Sequence, residues 1–188
     1  MPRSGTRSST PRNIMPIKNK FLIAFIGPVG SGKTYVARVL ARKLGAVHIR
    51  TDDIRVLLRR RGKSYVRSPE IAKRLTEDAL HQGKSAVLDF DAVRHRRRSE
   101  LKKLARSFGV KPVFIRVKTP EKIILSRLRR HRYTKKDLFR NAGEAVRVYY
   151  IRRKFHQKPL RPKPDFVINN ARPLEPQIQK IVQKLKGP

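Results

Sequence analysis

Gly27-Pro28-Val29-Gly30-Ser31-Gly32-Lys33-Thr34 decides how this chain is read. An apolar run, Phe21-Leu22-Ile23-Ala24-Phe25-Ile26, leads into it as a buried strand, and an amphipathic helix from Lys33 to Leu44, closed by Gly45, follows. The octet matches G-x-x-x-x-G-K-[ST] at every fixed position and sits between a strand and a helix, the context that the pattern requires. Glycines let the main chain curl until successive N–H groups point at one anion. The first turn of the helix adds its positive dipole end to the same spot. Lys33 reaches β- and γ-phosphates, and the Thr34 hydroxyl suits Mg²⁺, an ion that keeps most of its waters and shares phosphate oxygens. Gly27, Pro28, Val29, Gly30, Ser31, Gly32, Lys33 and Thr34 are therefore candidate ATP-binding residues, with Lys33 also catalytic and Thr34 a metal ligand. The loop leaves open what happens to the γ-phosphate: transfer to water, transfer to an acceptor, or use as a conformational switch.

Outward from this loop, short apolar strands alternate with longer helical stretches. Strands are expected at Ala46–Arg50, Ser85–Leu88, Val110–Val117 and Asp165–Ile168, and helices at Asp52–Arg61, Ser68–Gln82, Arg94–Phe108, from Thr119, at Glu144–His156 and at Leu174–Leu185. Ser68-Pro69-Glu70 reads as a helix start with a capping hydroxyl. Alternation of this kind predicts an α/β, three-layer P-loop NTPase fold: a mainly parallel five-stranded sheet with helices on both faces. Its site lies at the carboxyl ends of the strands. The domain spans residues 20–188, with a basic lid at about 129–141.

Three carboxylates stand where strands should end. Asp52 follows the second strand, at the same edge as the loop, and suits a general base that takes the proton of an acceptor hydroxyl. Arg55, one turn on, is placed to clamp an anionic acceptor. The plainer reading is that Asp52 caps its helix and Asp53 complements the dipole. Asp89, after Ala86-Val87-Leu88, suits a carboxylate that holds the metal or its water. Asp91 is the alternative for that role and a candidate substrate contact. Either acid is otherwise a helix cap or a partner for the arginines at 94–98. Among the cations at 127–132, Arg127 and Arg130 lie one turn apart and are the candidates for steadying a transferred phosphoryl group. The five histidines show no metal-ligand spacing and read as structural or surface residues.

The 188 residues hold 48 Lys and Arg against 13 Asp and Glu, a formal net charge of +35. Leu, Ile, Val and Phe exceed a quarter of the chain, above the roughly 20% below which highly charged chains stay disordered, so a core forms despite the charge. The clusters at 59–63, 94–98, 127–136 and 152–154 attract polyanions. They fit either a nucleic-acid partner or solvated basic faces that bind nothing specific, and no aromatic-interleaved run offers a stacking platform for bases. The absence of Cys excludes disulfides and Cys-ligated zinc and fits a reducing, cytoplasmic setting. No apolar run approaches the ~20 residues of a membrane span. Residues 1–19 carry Arg, Ser and Pro without a packing period and read as a disordered basic arm or residues ahead of a start at Met15. Their composition also suits a transit peptide.

These motifs resemble the small P-loop kinases of the nucleoside-monophosphate-kinase type, and among them the branch of 5′-hydroxyl polynucleotide kinases and zeta-toxin-like kinases. The resemblance rests on the Pro-containing loop 27–34, on Asp52-Asp53-Ile54-Arg55, on Val87-Leu88-Asp89 before a basic helix with Arg98, on Leu125-Ser126-Arg127 through Arg130, and on Asp165 to Asn170. It implies an ATP- and Mg²⁺-dependent kinase in which Asp52 is the base for the acceptor hydroxyl and Arg55 holds the acceptor's phosphate. It also implies that the loop after the last strand lies against adenine. The chain departs from the branch in having Asp89-Phe90-Asp91-Ala92 where Asp-Ala-Thr-Asn is common, and Asn170-Ala171-Arg172 without the usual Gly. The basic surface tilts the expected acceptor towards a nucleic-acid 5′ end. The rivals are a kinase of a small metabolite and an ATP-binding, RNA- or ribosome-associated protein that is not a kinase.

Overall fold

Every residue of the strand Phe21–Ile26 (β1) is buried, and its two faces feed two separate cores. Successive side chains of a strand point to opposite faces, so a strand covered on both sides is apolar throughout. Phe21, Ile23 and Phe25 join Val36, Leu40 and Leu44 of helix α1 (Lys33–Leu44), and Ile178, Ile181 and Leu185 of the last helix, Leu174–Lys186. Leu22, Ala24 and Ile26 pack on the opposite face against Ala72, Ala79, Leu80, Leu101 and Ala105.

A computed structural model describes residues 20–187, and the arm expected over residues 1–19 lies outside the described residues. After α1 come β2 (Val47–Arg50), α2 (Thr51–Arg60), a 3₁₀ turn (Tyr65–Arg67), α3 (Ser68–His81), β3 (Ala86–Asp91), α4 (His95–Ser107) and β4 (Lys111–Lys118). The chain continues through α5 (Glu121–Arg130), α6 (Ala142–Gln157), β5 (Phe166–Asn169) and α7, the last helix. The strands lie in the order β2-β3-β1-β4-β5, all pairings parallel. The expected three-layer fold is thus present. β1 has β3 on one side and β4 on the other, so its carboxyl end opens into the crevice where ligands of such sheets bind. No helix of the described residues is long and apolar enough to cross a membrane.

Most element ends fall within one or two residues of expectation, but two differences bear on the site. β3 runs three residues further than its apolar run, because Asp89 and Asp91 are still paired: Asp89 with Arg50 of β2, and Asp91 with Phe25 of β1 after the register jumps from Leu88. Strand irregularities of this kind re-aim side chains next to functional sites. The second difference is at Ser68. It is the first residue of α3 and makes no cap, since Arg67 precedes it in helical conformation; its hydroxyl accepts instead from Arg55 Nε at 3.3 Å.

Candidate active site

The loop after β1 wraps over the start of α1. Gly32 takes φ +92°, a left-handed conformation that glycine adopts without penalty, and a Cβ there would collide with the Asn170 side-chain amide. A Cβ on Gly27 would come within 2.7 Å of Ser31 Oγ and 2.9 Å of the Val117 carbonyl. Neighbours from the far half of the sheet clamp the loop: Asn170 Nδ2 and the Thr119 hydroxyl both donate to the Ser31 carbonyl, at 2.6 and 2.8 Å. Lys33 Nζ donates to the carbonyls of Gly27 and Pro28 at 2.6 and 2.8 Å. Burial pulls its pKa below the usual lysine value, while Asp91, Asp89 and Asp52 act to keep the proton on and Arg152 acts against them.

The two acids of β3 divide their work. Asp91 Oδ1 accepts from the Gly27 N–H at 3.2 Å, and its Oδ2 stands 3.0 Å from His156 Nε2. Burial pushes Asp91 up, but His156, Lys33 and the Gly27 amide outweigh it and hold the carboxyl below its ordinary range. It therefore anchors the base of the phosphate loop, and it also lines the cleft. Asp89 is 5% exposed and lies inside the strand, which excludes the helix-cap reading. Its neighbours are Thr34, His48 and Arg50 rather than the arginines of α4. Burial again pushes upward, and His48, the Thr34 hydroxyl and Lys33 prevail to keep it ionised.

His48 Nε2 and Arg50 Nε each stand 3.7 Å from Asp89 Oδ2, beyond direct hydrogen-bond reach, and all three atoms are buried without a partner. A buried, ionised carboxylate oxygen without a hydrogen-bond partner, beside a threonine hydroxyl, would fit a hydrated Mg²⁺. Among the described residues no three His, Asp or Glu side chains form a metal-binding group.

A cleft of about 760 Å³ opens from this loop across the carboxyl ends of β2 and β3. Asp52 lies on its wall in the first turn of α2. Arg50 is the N-cap of that helix and Asp52 makes no cap bond, so the capping reading is excluded. Asp52 Oδ1 accepts from Arg55 at 3.0 Å, and its side chain is 42% exposed, open to the cleft. Lys33, Asp52, Asp89 and Asp91 are thus together. Beyond Asp52 the walls carry Arg55, Lys73, Arg94 and Arg97, with an apolar floor that includes Leu88, Phe90, Leu101 and Phe155.

The basic lid is built differently from expectation. Arg129 and Arg130 still belong to α5, and the loop proper begins at His131. It presents His131, Tyr133, Asp137, Leu138 and Phe139 to the cleft, whereas Arg130 is exposed and off the cleft wall. Tyr133 and Phe139 pack on Ile124, Leu128, Ala145 and Tyr149, a small apolar cluster that also takes Val29. Apolar residues facing inward turn the intervening cations out. Arg127 does reach the phosphate loop, where it lies beside Gly32 and donates to Asn170 Oδ1 at 3.3 Å. Sequence reasoning missed Arg152 of α6, close enough to Lys33 to oppose its charge, as well as His48 and His156 beside the two acids of β3. The one available signal for Arg152 was its place in a basic cluster, which does not reveal which way it faces.

A family profile described as an AAA domain matches residues 22–154. No curated protein sequence matches the chain. Solved structures of the same fold include the APS kinase of Mycobacterium tuberculosis in complex with AMPPNP and APS (19% identity, TM-score 0.61, 92% of this chain and 100% of that one). The shikimate kinase of Acinetobacter baumannii in complex with shikimate is similar at 19% identity and TM-score 0.53, over 90% and 94% of the two chains. A gluconokinase from Sinorhizobium meliloti is similar at 17% identity and TM-score 0.55, over 87% and 90%. At such identities the likeness is one of fold.

Proposed function

The chain belongs to the AAA domain family, and on that premise we propose that it is an ATP-dependent phosphotransferase that moves the γ-phosphoryl group to a hydroxyl of a small anionic acceptor. The observation that carries this reading is the position of Asp52, on the wall of the same cleft that Lys33 and Thr34 line, close enough to Lys33 to favour its charge. A carboxylate there could activate water as well as an alcohol; the arginine paired with it, which water does not need, favours an anionic acceptor. The loop 27–34 holds the triphosphate through its amides and Lys33. Thr34 and Asp89 are the residues that would hold a Mg²⁺, which would supply charge neutralisation for the phosphates. Asp52 accepts the proton of the acceptor hydroxyl as the oxygen attacks. Lys33, Arg127 and Arg152 face the charge that builds on the transferred group.

Arg55, Lys73, Arg94 and Arg97 give the acceptor half a cationic wall, and the apolar floor suits a compact organic body. The kinases of similar fold, two of them solved in complex with APS and with shikimate, support a small acceptor over a polymer. A second reading, a nucleic-acid 5′ hydroxyl as in the polynucleotide kinase branch, draws on the net charge of +35. Salt separates the two: six to ten phosphate contacts weaken binding by roughly 10³–10⁵ between 50 and 200 mM salt, and a small acceptor gives a shallow slope. The test is a screen with γ-labelled ATP over hydroxy acids, phosphorylated sugars, nucleotides and 5′-hydroxyl oligonucleotides. Asp52→Asn should slow transfer by about 10²–10⁴-fold with ATP affinity kept. Unchanged transfer in that variant to every acceptor would remove the kinase reading.

A further inference from the structure

A second concavity lies on the α4 face, beside the first half of β4. It measures about 310 Å³ and is lined by Arg98, Lys102 and Arg106, by Pro112 and Phe114 of β4, and by Pro162, Lys163 and Asp165 from the segment before β5. Arg98, Lys102 and Arg106 are spaced by four and share one face of α4. Four cations thus converge against one carboxylate, and that carboxylate is engaged, since Asp165 Oδ2 accepts from the Phe114 N–H at 2.7 Å. Among the described residues none of the four cations pairs with an acid within 4.0 Å. Residues 1–19 contain no Asp or Glu that could pair with them.

The independent observation is Arg98. It is only 3% exposed, and its terminal nitrogens donate to the carbonyls of Ala92, Val93 and Arg161. Its Nε is buried without a partner. A buried charged donor left unsatisfied is costly, and guanidinium groups suit the oxygens of phosphates. We propose that this groove is a second anion site, distinct from the cleft, that takes a phosphoryl or pyrophosphoryl group of a small molecule. Arg98 meets the anion at the bottom, Lys102, Arg106 and Lys163 surround it, and Pro112, Phe114 and Pro162 supply an apolar wall. The groove is concave and short, which favours a small ligand over a polymer backbone. Because Arg98 also holds the carbonyls of Ala92 and Val93, directly after Asp91, a ligand there bears on the segment that ends at the cleft. The site stands independently of the kinase reading.

The experiment is calorimetric titration of the full chain with pyrophosphate, after the phosphate loop has been saturated with a non-hydrolysable ATP analogue. The expected result is one further equivalent bound. The Lys102→Ala/Arg106→Ala double variant, altered at surface positions, should weaken it roughly tenfold or more, with unchanged thermal midpoint and unchanged affinity for the ATP analogue. An Arg94→Ala/Arg97→Ala variant should retain the equivalent that depends on Lys102 and Arg106, whatever it loses at the acceptor wall of the cleft. Three outcomes overturn the proposal: no second equivalent, a loss that follows Arg94 and Arg97 instead, or a groove that responds to an RNA oligomer and not to pyrophosphate.

Discussion

The two halves of the cleft are made in different ways. The nucleotide half is main chain: a strand, a glycine-rich turn and a helix start supplied by one stretch, 21–44, with Lys33 and Thr34 as its working side chains. The acceptor half is assembled from long side chains of separate elements, Asp52 and Arg55 from α2, Lys73 from α3, Arg94 just before α4 and Arg97 within it. A main-chain cradle tolerates little change, since Gly27 and Gly32 have no room for a Cβ. A side-chain wall can be altered one residue at a time without disturbing the fold, so the acceptor half is where specificity among proteins of this fold is free to vary.

The sharpest way to test that contrast is Lys33→Ala. Removing the cation proposed to face the migrating charge should cut transfer by about 10³-fold or more and lower the melting temperature, because the Gly27 and Pro28 carbonyls lose their donor and Asp89 and Asp91 lose a neighbouring cation. Single-turnover rates with labelled ATP measure it. The next effect separates two arginines one turn apart. Arg127→Ala should slow transfer by roughly 10²-fold, and Arg130→Ala should stay within about twofold, since it lies exposed and off the cleft wall. Equal losses in both would place the cationic face of α5 elsewhere. On the acceptor side, Arg55→Ala should raise the acceptor KM by about tenfold with the KM for ATP little changed. A change confined to the ATP KM would erase the distinction between the halves.

The smallest effect is on stability. Asp91→Asn keeps the shape but removes the charge that binds the Gly27 amide and faces His156. It should cost about 1–3 kcal/mol near neutral pH. The sign with pH follows from the depressed pKa of Asp91. Its contribution is complete above its unfolded value of 3.8 and is lost as pH falls through the lower folded value. Urea midpoints of wild type and variant should therefore converge in strong acid and separate above about pH 4.

Legibility in the sequence followed the range of the interaction. β1 and the phosphate loop were readable because every determinant is local: six apolar residues, then glycines, then a helix. Asp52 and Arg55 were readable as a pair because one helical turn sets their spacing. The end of β3 was not, because Asp89-Phe90-Asp91 remains strand only through its pairing with Arg50 on one side and Phe25 on the other. The same limit hid His48, His156 and Arg152, whose roles depend on which residues of distant elements they face. It also misled about the lid, where a basic composition suggested arginines over the site and packing of Tyr133 and Phe139 turned most of them away.

The sequence by itself determined that this protein is a P-loop α/β fold with a cradle for phosphates, because strand, turn and helix start are written in contiguous residues and the cradle is made of backbone. Only the tertiary structure decided which of the described cations meet that cradle, and which acid lies at the base of the loop, beside Thr34 or on the cleft wall. Charge carries no address along the chain. A side chain's function is set by what the packed sheet brings within a few ångströms of it.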